Sequence, residues 1–144
     1  MRPAIAGALA AWDLLPPASL SWGLLHTDPA PEAFLLDADT GECGLIDWDT
    51  GMHGPLMYDL ASAVMYVGGP DRAETLIDAY FEHPVLDGAE VARTLRPMLR
   101  LRWAIQADYF ARRLSAGDLT GIENADENEV GLEDARVGLM QTPA

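Results

Sequence analysis

The sequence predicts an α+β fold, mainly helical, and three observations lead there. Strand-forming runs are few, short and confined to the stretch between Ser21 and Ile46. From Asp59 onward the apolar residues recur only at helical spacing. The chain has 144 residues, 49% of them hydrophobic and 22% charged, enough for one domain with a real core, so a single domain over 1–144 is expected.

Each element has its own warrant. Pro3 to Leu15 is rich in Ala and Leu with a proline near its start, which suits a helix, and Pro16-Pro17 stops it. Ser21 to Leu25 is long enough for one strand. His26 to Ala33 holds two prolines in three residues, so it forms no regular element. Phe34-Leu35-Leu36 and Gly44-Leu45-Ile46 flank Asp37-Ala38-Asp39-Thr40-Gly41-Glu42, which predicts a β-hairpin with an Asp- and Gly-rich turn. Cys43 is expected to pack there as a small hydrophobe. Asp47 to Pro55 reads as a loop with two glycines. A helix then runs from Asp59, an N-cap or first-turn carboxylate, to Val67, where Gly68-Gly69-Pro70 breaks it.

Arg72 to Phe81 places Ala73, Leu76, Ile77 and Tyr80 on one helical face. Gly88 to Leu114 reads as one long helix or a bent pair, with a kink or boundary at Pro97. Its stripe of Trp103, Ala107, Phe110 and Leu114 is core, and its arginines (Arg93, Arg96, Arg100, Arg112, Arg113) form a mostly solvated face. Gly117 to Glu129 is a polar, acidic connection, and Leu132 to Met140 a last helix.

Charge excludes several functions. Nine basic residues face 23 acidic ones, a formal net charge of -14, and all nine are arginines. Mechanisms that need a lysine in this chain are ruled out: a P-loop, a Schiff base, or a lysine on ATP phosphates. Nucleic acid and anionic membrane surfaces are repelled, whereas cations are attracted. One cysteine allows no internal disulfide. Met1 to Trp12 reads as an amphipathic helix rather than a signal peptide, and no window reaches the roughly 20 apolar residues of a membrane span. A cytoplasmic domain is expected.

The chemistry-bearing residues lie at strand ends. His26-Thr27-Asp28 follows the first strand, and Ile46-Asp47-Trp48-Asp49, with Gly51 and Gly54 behind it, follows the hairpin. Because a hairpin returns the chain to its origin, Asp28 and Asp47 can emerge at one edge of a small sheet. Two such carboxylates, one aligning a hydroxyl and one gripping a cation, suit phosphoryl transfer. His26 is expected to be a buried loop organiser rather than a base. Asp49 is taken as a solvated or capping carboxylate ahead of a second metal ligand. The run Asp37-x-Asp39-x-Gly41 is a turn, not a calcium loop, since it lacks the closing glutamate. His53 and His83 are surface residues.

In this order the motifs resemble the C-terminal lobe of the aminoglycoside phosphotransferase and choline kinase-like family, of protein-kinase-like fold. That family's pattern is His-Gly-Asp-Leu-His-Pro-x-Asn, a hairpin, Ile-Asp-Trp-Glu, Gly-x-Pro and Tyr-Asp-Leu-Ala. The likeness covers Leu24 to Val67 closely and the later helices loosely. It implies that Asp28 is the catalytic aspartate receiving or orienting the acceptor's hydroxyl proton. His26 would hold the catalytic loop in shape, Asp47 would bind the magnesium ions on the nucleotide phosphates, and Asp59 would tie a helix start to the loop. Two positions depart from the pattern. Thr27 replaces a glycine, and the metal-binding asparagine falls on Ala33, where neighbouring Glu32 is the substitute metal ligand.

The resemblance also implies Mg2+ with ATP as co-substrate and a small-molecule hydroxyl as acceptor, cationic aminoglycoside-like molecules among the candidates. The acidic residues between Asp118 and Asp134 would then form either a solvated loop or a wall for a cationic acceptor, with Asn128 as a polar contact. The family's N-terminal ATP lobe has no counterpart in the sequence. The chain is therefore expected to be a fragment of a longer enzyme, ahead of a stand-alone remnant or one half of a split enzyme. The alternative function is a non-catalytic, kinase-like interaction domain that self-associates through the face such a lobe would cover. A phosphatase of the haloacid dehalogenase type, suggested by Asp47-x-Asp49, is set aside because it needs a parallel α/β fold and a lysine.

Overall fold

A computed structural model describes residues 1–83 and 85–142. Helix α1 (Arg2–Asp13) begins with Pro3 in its first turn, where no amide donor is needed. Among the described residues, four short strands follow: β1 (Trp22–Leu25), β2 (Phe34–Leu36), β3 (Cys43–Leu45) and β4 (Met52–Pro55). Then come α2 (Met57–Tyr66), α3 (Glu74–Phe81), α4 (Gly88–Ala116) and α5 (Ala125–Gln141). Among the described residues no helix is long and apolar enough to cross a membrane.

The strands form two antiparallel ribbons instead of one small sheet. The expected hairpin pairs β2 with β3, Leu35 opposite Gly44. Its turn is fixed by Asp37, whose Oδ1 accepts the amides of Asp39 and Thr40 at 2.9 and 2.8 Å, with Gly41 at φ +73°. Those amide contacts hold the Asp37 carboxyl below its usual range. β1, however, pairs with β4, a strand inside the stretch expected to be loop. Glycine makes that pairing possible. A Cβ on Gly54 would lie 2.6 Å from Leu25, and one on Gly23 would lie 2.7 Å from Leu56. Leu25 and Leu56 thus pack where side chains on the ribbon would otherwise stand.

The chain divides into two compact units, Pro16–Leu95 and Met1–Leu15 with Arg96 onward. In the first, Leu25, Met57, Leu60, Val64, Met65 and Ala73 are buried. A buried carboxylate fastens this core: Glu90 accepts the Ser21 amide at 2.8 Å and the Ser21 hydroxyl at 2.7 Å. Such bonds contribute about 1.5–3 kcal/mol each when one partner is charged.

The second unit is built from helices. Ala8, Ala104, Ala107, Ala135 and Leu139 form its core, with Trp103 and Leu132 packed against it. Gly131 and Gly138 of α5 leave room for the rings of Phe110 and Trp103. α5 starts well before the expected Leu132, because Asn124 and Glu127 form a reciprocal capping box. α4 continues through Pro97 without a boundary. Its charged face differs from expectation: Arg100 is buried, as is Arg102, and Arg100 donates to the Thr142 carbonyl. Cys43, expected to pack, is exposed, since the two-stranded β2–β3 ribbon has no covered face.

Candidate active site

His26, Asp28, Glu32, Asp47, Asp49 and Asp59 all lie in the unit spanning 16–95, whereas the acidic residues between Asp118 and Asp134 and Asn128 belong to the other unit. The loop after β1 is shaped by Asp59, in the first turn of α2. Its Oδ2 accepts the His26 amide at 2.6 Å and its Oδ1 the Thr27 amide at 2.9 Å. Asp59 therefore serves as a first-turn carboxylate that reaches across to another loop, not as the helix cap. Thr27 adopts φ +76°, a left-handed conformation that costs a β-branched residue roughly 1–2 kcal/mol. Glycine would adopt it without that cost. The threonine hydroxyl makes a compensating contact, 2.7 Å from the Thr50 hydroxyl.

His26 is buried, and its Nε2 lies 2.6 Å from the Ile46 carbonyl oxygen. A carbonyl can only accept, so the proton sits on Nε2. The Trp48 ring covers the imidazole edge-on at 4.8 Å and anchors itself by donating to the Leu45 carbonyl at 2.9 Å. The histidine bond and the Thr27–Thr50 bridge tie the Asp28 loop to the Asp47 loop. Asp47 has φ +67°, a conformation in which Asp is among the less penalised residues. Two left-handed non-glycine residues in adjoining loops are the kind of backbone outlier that clusters at functional sites.

A cavity of about 470 Å³ opens between these loops, lined by Asp28, Ala30, Glu32, Ala33, Ile46, Asp47 and Asp49. The two aspartates expected to work together do meet at one cavity, although on separate ribbons. Glu32, at the start of a 3-10 turn over Pro31–Ala33, shares it with them. Asp49 joins the same lining, and Ala33 occupies it without a ligand atom. His26 stands behind, outside the lining.

Four carboxylates and no basic side chain line this space, a hard oxygen donor set that suits Mg2+. Among the described residues no three acidic, histidine or cysteine side chains converge as a ready coordination sphere. Mg2+ commonly takes only one or two carboxylates and completes its shell with phosphate oxygens and water, so the residues present fit it.

One contact was not foreseen: the Tyr66 hydroxyl donates to Asp28 Oδ1. The available signal was spacing, since Tyr66 lies seven residues after Asp59 on the same face of α2. Two acidic residues of the other unit, Asp118 and Glu127, are engaged locally. Asp118 accepts the Thr120 amide at 2.9 Å, Glu127 accepts the Glu123 amide at 2.8 Å, and buried Asn128 accepts Arg113 Nε at 2.9 Å.

No curated protein sequence matches the chain. In fold, it is similar to the crystal structure of a choline/ethanolamine kinase family protein from Mesorhizobium loti, with a TM-score of 0.66 at 23% identity. That match covers 99% of this chain and 45% of the other, so the chain spans under half the length of its structural relative. The mainly helical α+β architecture is thus that of part of a kinase-like fold. Residues 2–95, well over half of the chain, match the model of the phosphotransferase enzyme family, and they include both loops of the cavity. The chain belongs to the phosphotransferase enzyme family.

Proposed function

We propose that residues 1–144 form the C-terminal lobe of an ATP- and Mg2+-dependent kinase acting on a hydroxyl of a small molecule. The observation that carries this is the meeting of Asp28 and Asp47, from loops 19 residues apart, in one acidic cavity. Asp47, assisted by Glu32, would hold Mg2+; the ion, when bound with ATP, neutralises phosphate charge. Asp28 orients the acceptor hydroxyl and takes its proton as the new oxygen–phosphorus bond forms and the bond to the departing ADP oxygen breaks. His26 and Asp59 keep the Asp28 loop in the shape this requires. Choline, ethanolamine and aminoglycosides are the first acceptors to try, the negative charge favouring cationic ones.

Calorimetric titration of Mg-ATP into the chain tests the nucleotide site. Micromolar binding that disappears with Asp47→Ala is expected. Absence of binding, or binding untouched by the substitution, would count against the assignment. Glu32→Ala should weaken Mg2+ affinity, and unchanged affinity removes Glu32 from the site.

One observation favours the second function, a self-associating domain. Phe34, Leu35 and Leu36 are 45%, 55% and 72% exposed, and Ile46 and Trp48 beside them are each 45% exposed. An apolar strip of this kind marks an interaction surface. A sedimentation run that gives a clean monomer at high concentration would discard self-association.

A further inference from the structure

Helix α2 grips the loop after β1 at two places. At its start Asp59 accepts the amides of His26 and Thr27, which fixes the backbone. Two turns later Tyr66 donates its phenolic hydrogen to Oδ1 of Asp28, which fixes the side chain. Seven residues bring a helix round almost twice, so both grips fall on one face. Asp28 lines the acidic cavity, whereas Tyr66 stands outside that lining and reaches the carboxylate from the helix side. The body of the helix between the grips is buried, with Leu60, Ala61 and Val64 fully enclosed, so it is a rigid spacer.

We propose that Tyr66 is a positioning residue for Asp28: its hydroxyl sets the plane in which the carboxylate meets the acceptor hydroxyl. This rests on the phosphoryl-transfer assignment above. An exposed aspartate has rotamers to choose from, and a bond to one oxygen selects among them. Correct alignment of a base with the proton it receives affects turnover rather than ground-state binding. A charge-assisted hydrogen bond from a half-buried phenol is strong enough to maintain that alignment.

Tyr66→Phe keeps the ring and removes the bond. With Mg-ATP and choline, ethanolamine or kanamycin as acceptor, kcat should fall about 10-fold, while acceptor KM and Mg-ATP affinity change less than about twofold. The melting temperature should stay within a few degrees. Unchanged kcat, or a fall in kcat matched by an equal loss of Mg-ATP affinity, overturns the proposal. A second measurement does not depend on activity. The carboxyl 13C resonance of Asp28, assigned with Asp28→Asn, should move in Tyr66→Phe at neutral pH. A resonance that stays in place overturns the contact itself. A wild-type chain that neither binds Mg-ATP nor transfers phosphate, yet whose Asp28 resonance moves in Tyr66→Phe, places the failure in the phosphoryl-transfer assignment and leaves the positioning contact intact.

Discussion

In the unit spanning 16–95, loop backbone is held open by side chains: Asp59 on two amides, His26 on the Ile46 carbonyl, Thr27 on Thr50, Glu90 on Ser21. In the helical unit, small residues let helices approach, as Ala107, Ala135, Gly131 and Gly138 do around Trp103 and Phe110. The first arrangement tolerates left-handed residues and exposed carboxylates because hydrogen bonds over-determine the backbone. The second derives its stability from close packing. Chemistry and stability are therefore expected to respond to different substitutions.

The largest separation should come from Asp28→Asn. This exposed residue is expected to lose roughly 100-fold or more in transfer rate, with urea unfolding changed by less than about 0.5 kcal/mol. A large stability loss would mean that Asp28 is a structural carboxylate. Asp59→Ala should act the other way, costing about 2–4 kcal/mol of stability because two backbone amides lose a charged acceptor. A near-neutral result would show that the loop is held by other means.

In the helical unit, Gly138→Ala sharpens the contrast through its sign. In an open helix the change stabilises by up to about 1 kcal/mol. Here the new methyl meets the Trp103 ring, so a loss of roughly 1–3 kcal/mol is expected, with Mg-ATP affinity in calorimetry unaltered.

The smallest effect concerns Tyr80. Burial first, and then the negative charge of Asp59, hold its phenol above the ordinary value. The folded chain thus keeps the proton to higher pH than the unfolded one. Its contribution is complete below about pH 10 and is lost as pH rises through the folded value. Unfolding midpoints between pH 9 and 11 should decline less in Tyr80→Phe than in the wild type.

Much of this was legible in the chain. Local punctuation (Pro16-Pro17, the Asp37 turn, Gly68-Gly69-Pro70) marked element ends that depend on nearest neighbours. That Asp28 and Asp47 line one cavity was legible because motif order carries three-dimensional information that neither residue holds alone. β4 was hidden because Met-His-Gly-Pro has poor strand propensity, and only its fit against β1 makes it a strand. The start of α5 lay in Asn124-x-x-Glu127, a capping signal masked by the acidic run around it. Buried Arg100 and exposed Cys43 follow from tertiary surroundings that helical or strand spacing does not encode. Spacing puts Tyr66 on the Asp59 face of α2, but its reach to Asp28 depends on the distance between that face and a loop, which only the fold supplies.

Paramagnetic NMR with Mn2+ and ATP tests the shared cavity most directly. Amide signals of residues 27–33 and 46–50 should broaden together at substoichiometric Mn2+, and the effect should vanish in Asp47→Asn. Broadening confined to one of these loops, or centred on the acidic residues near Asp118 to Asp134, would contradict a common metal and acceptor site at Asp28 and Asp47.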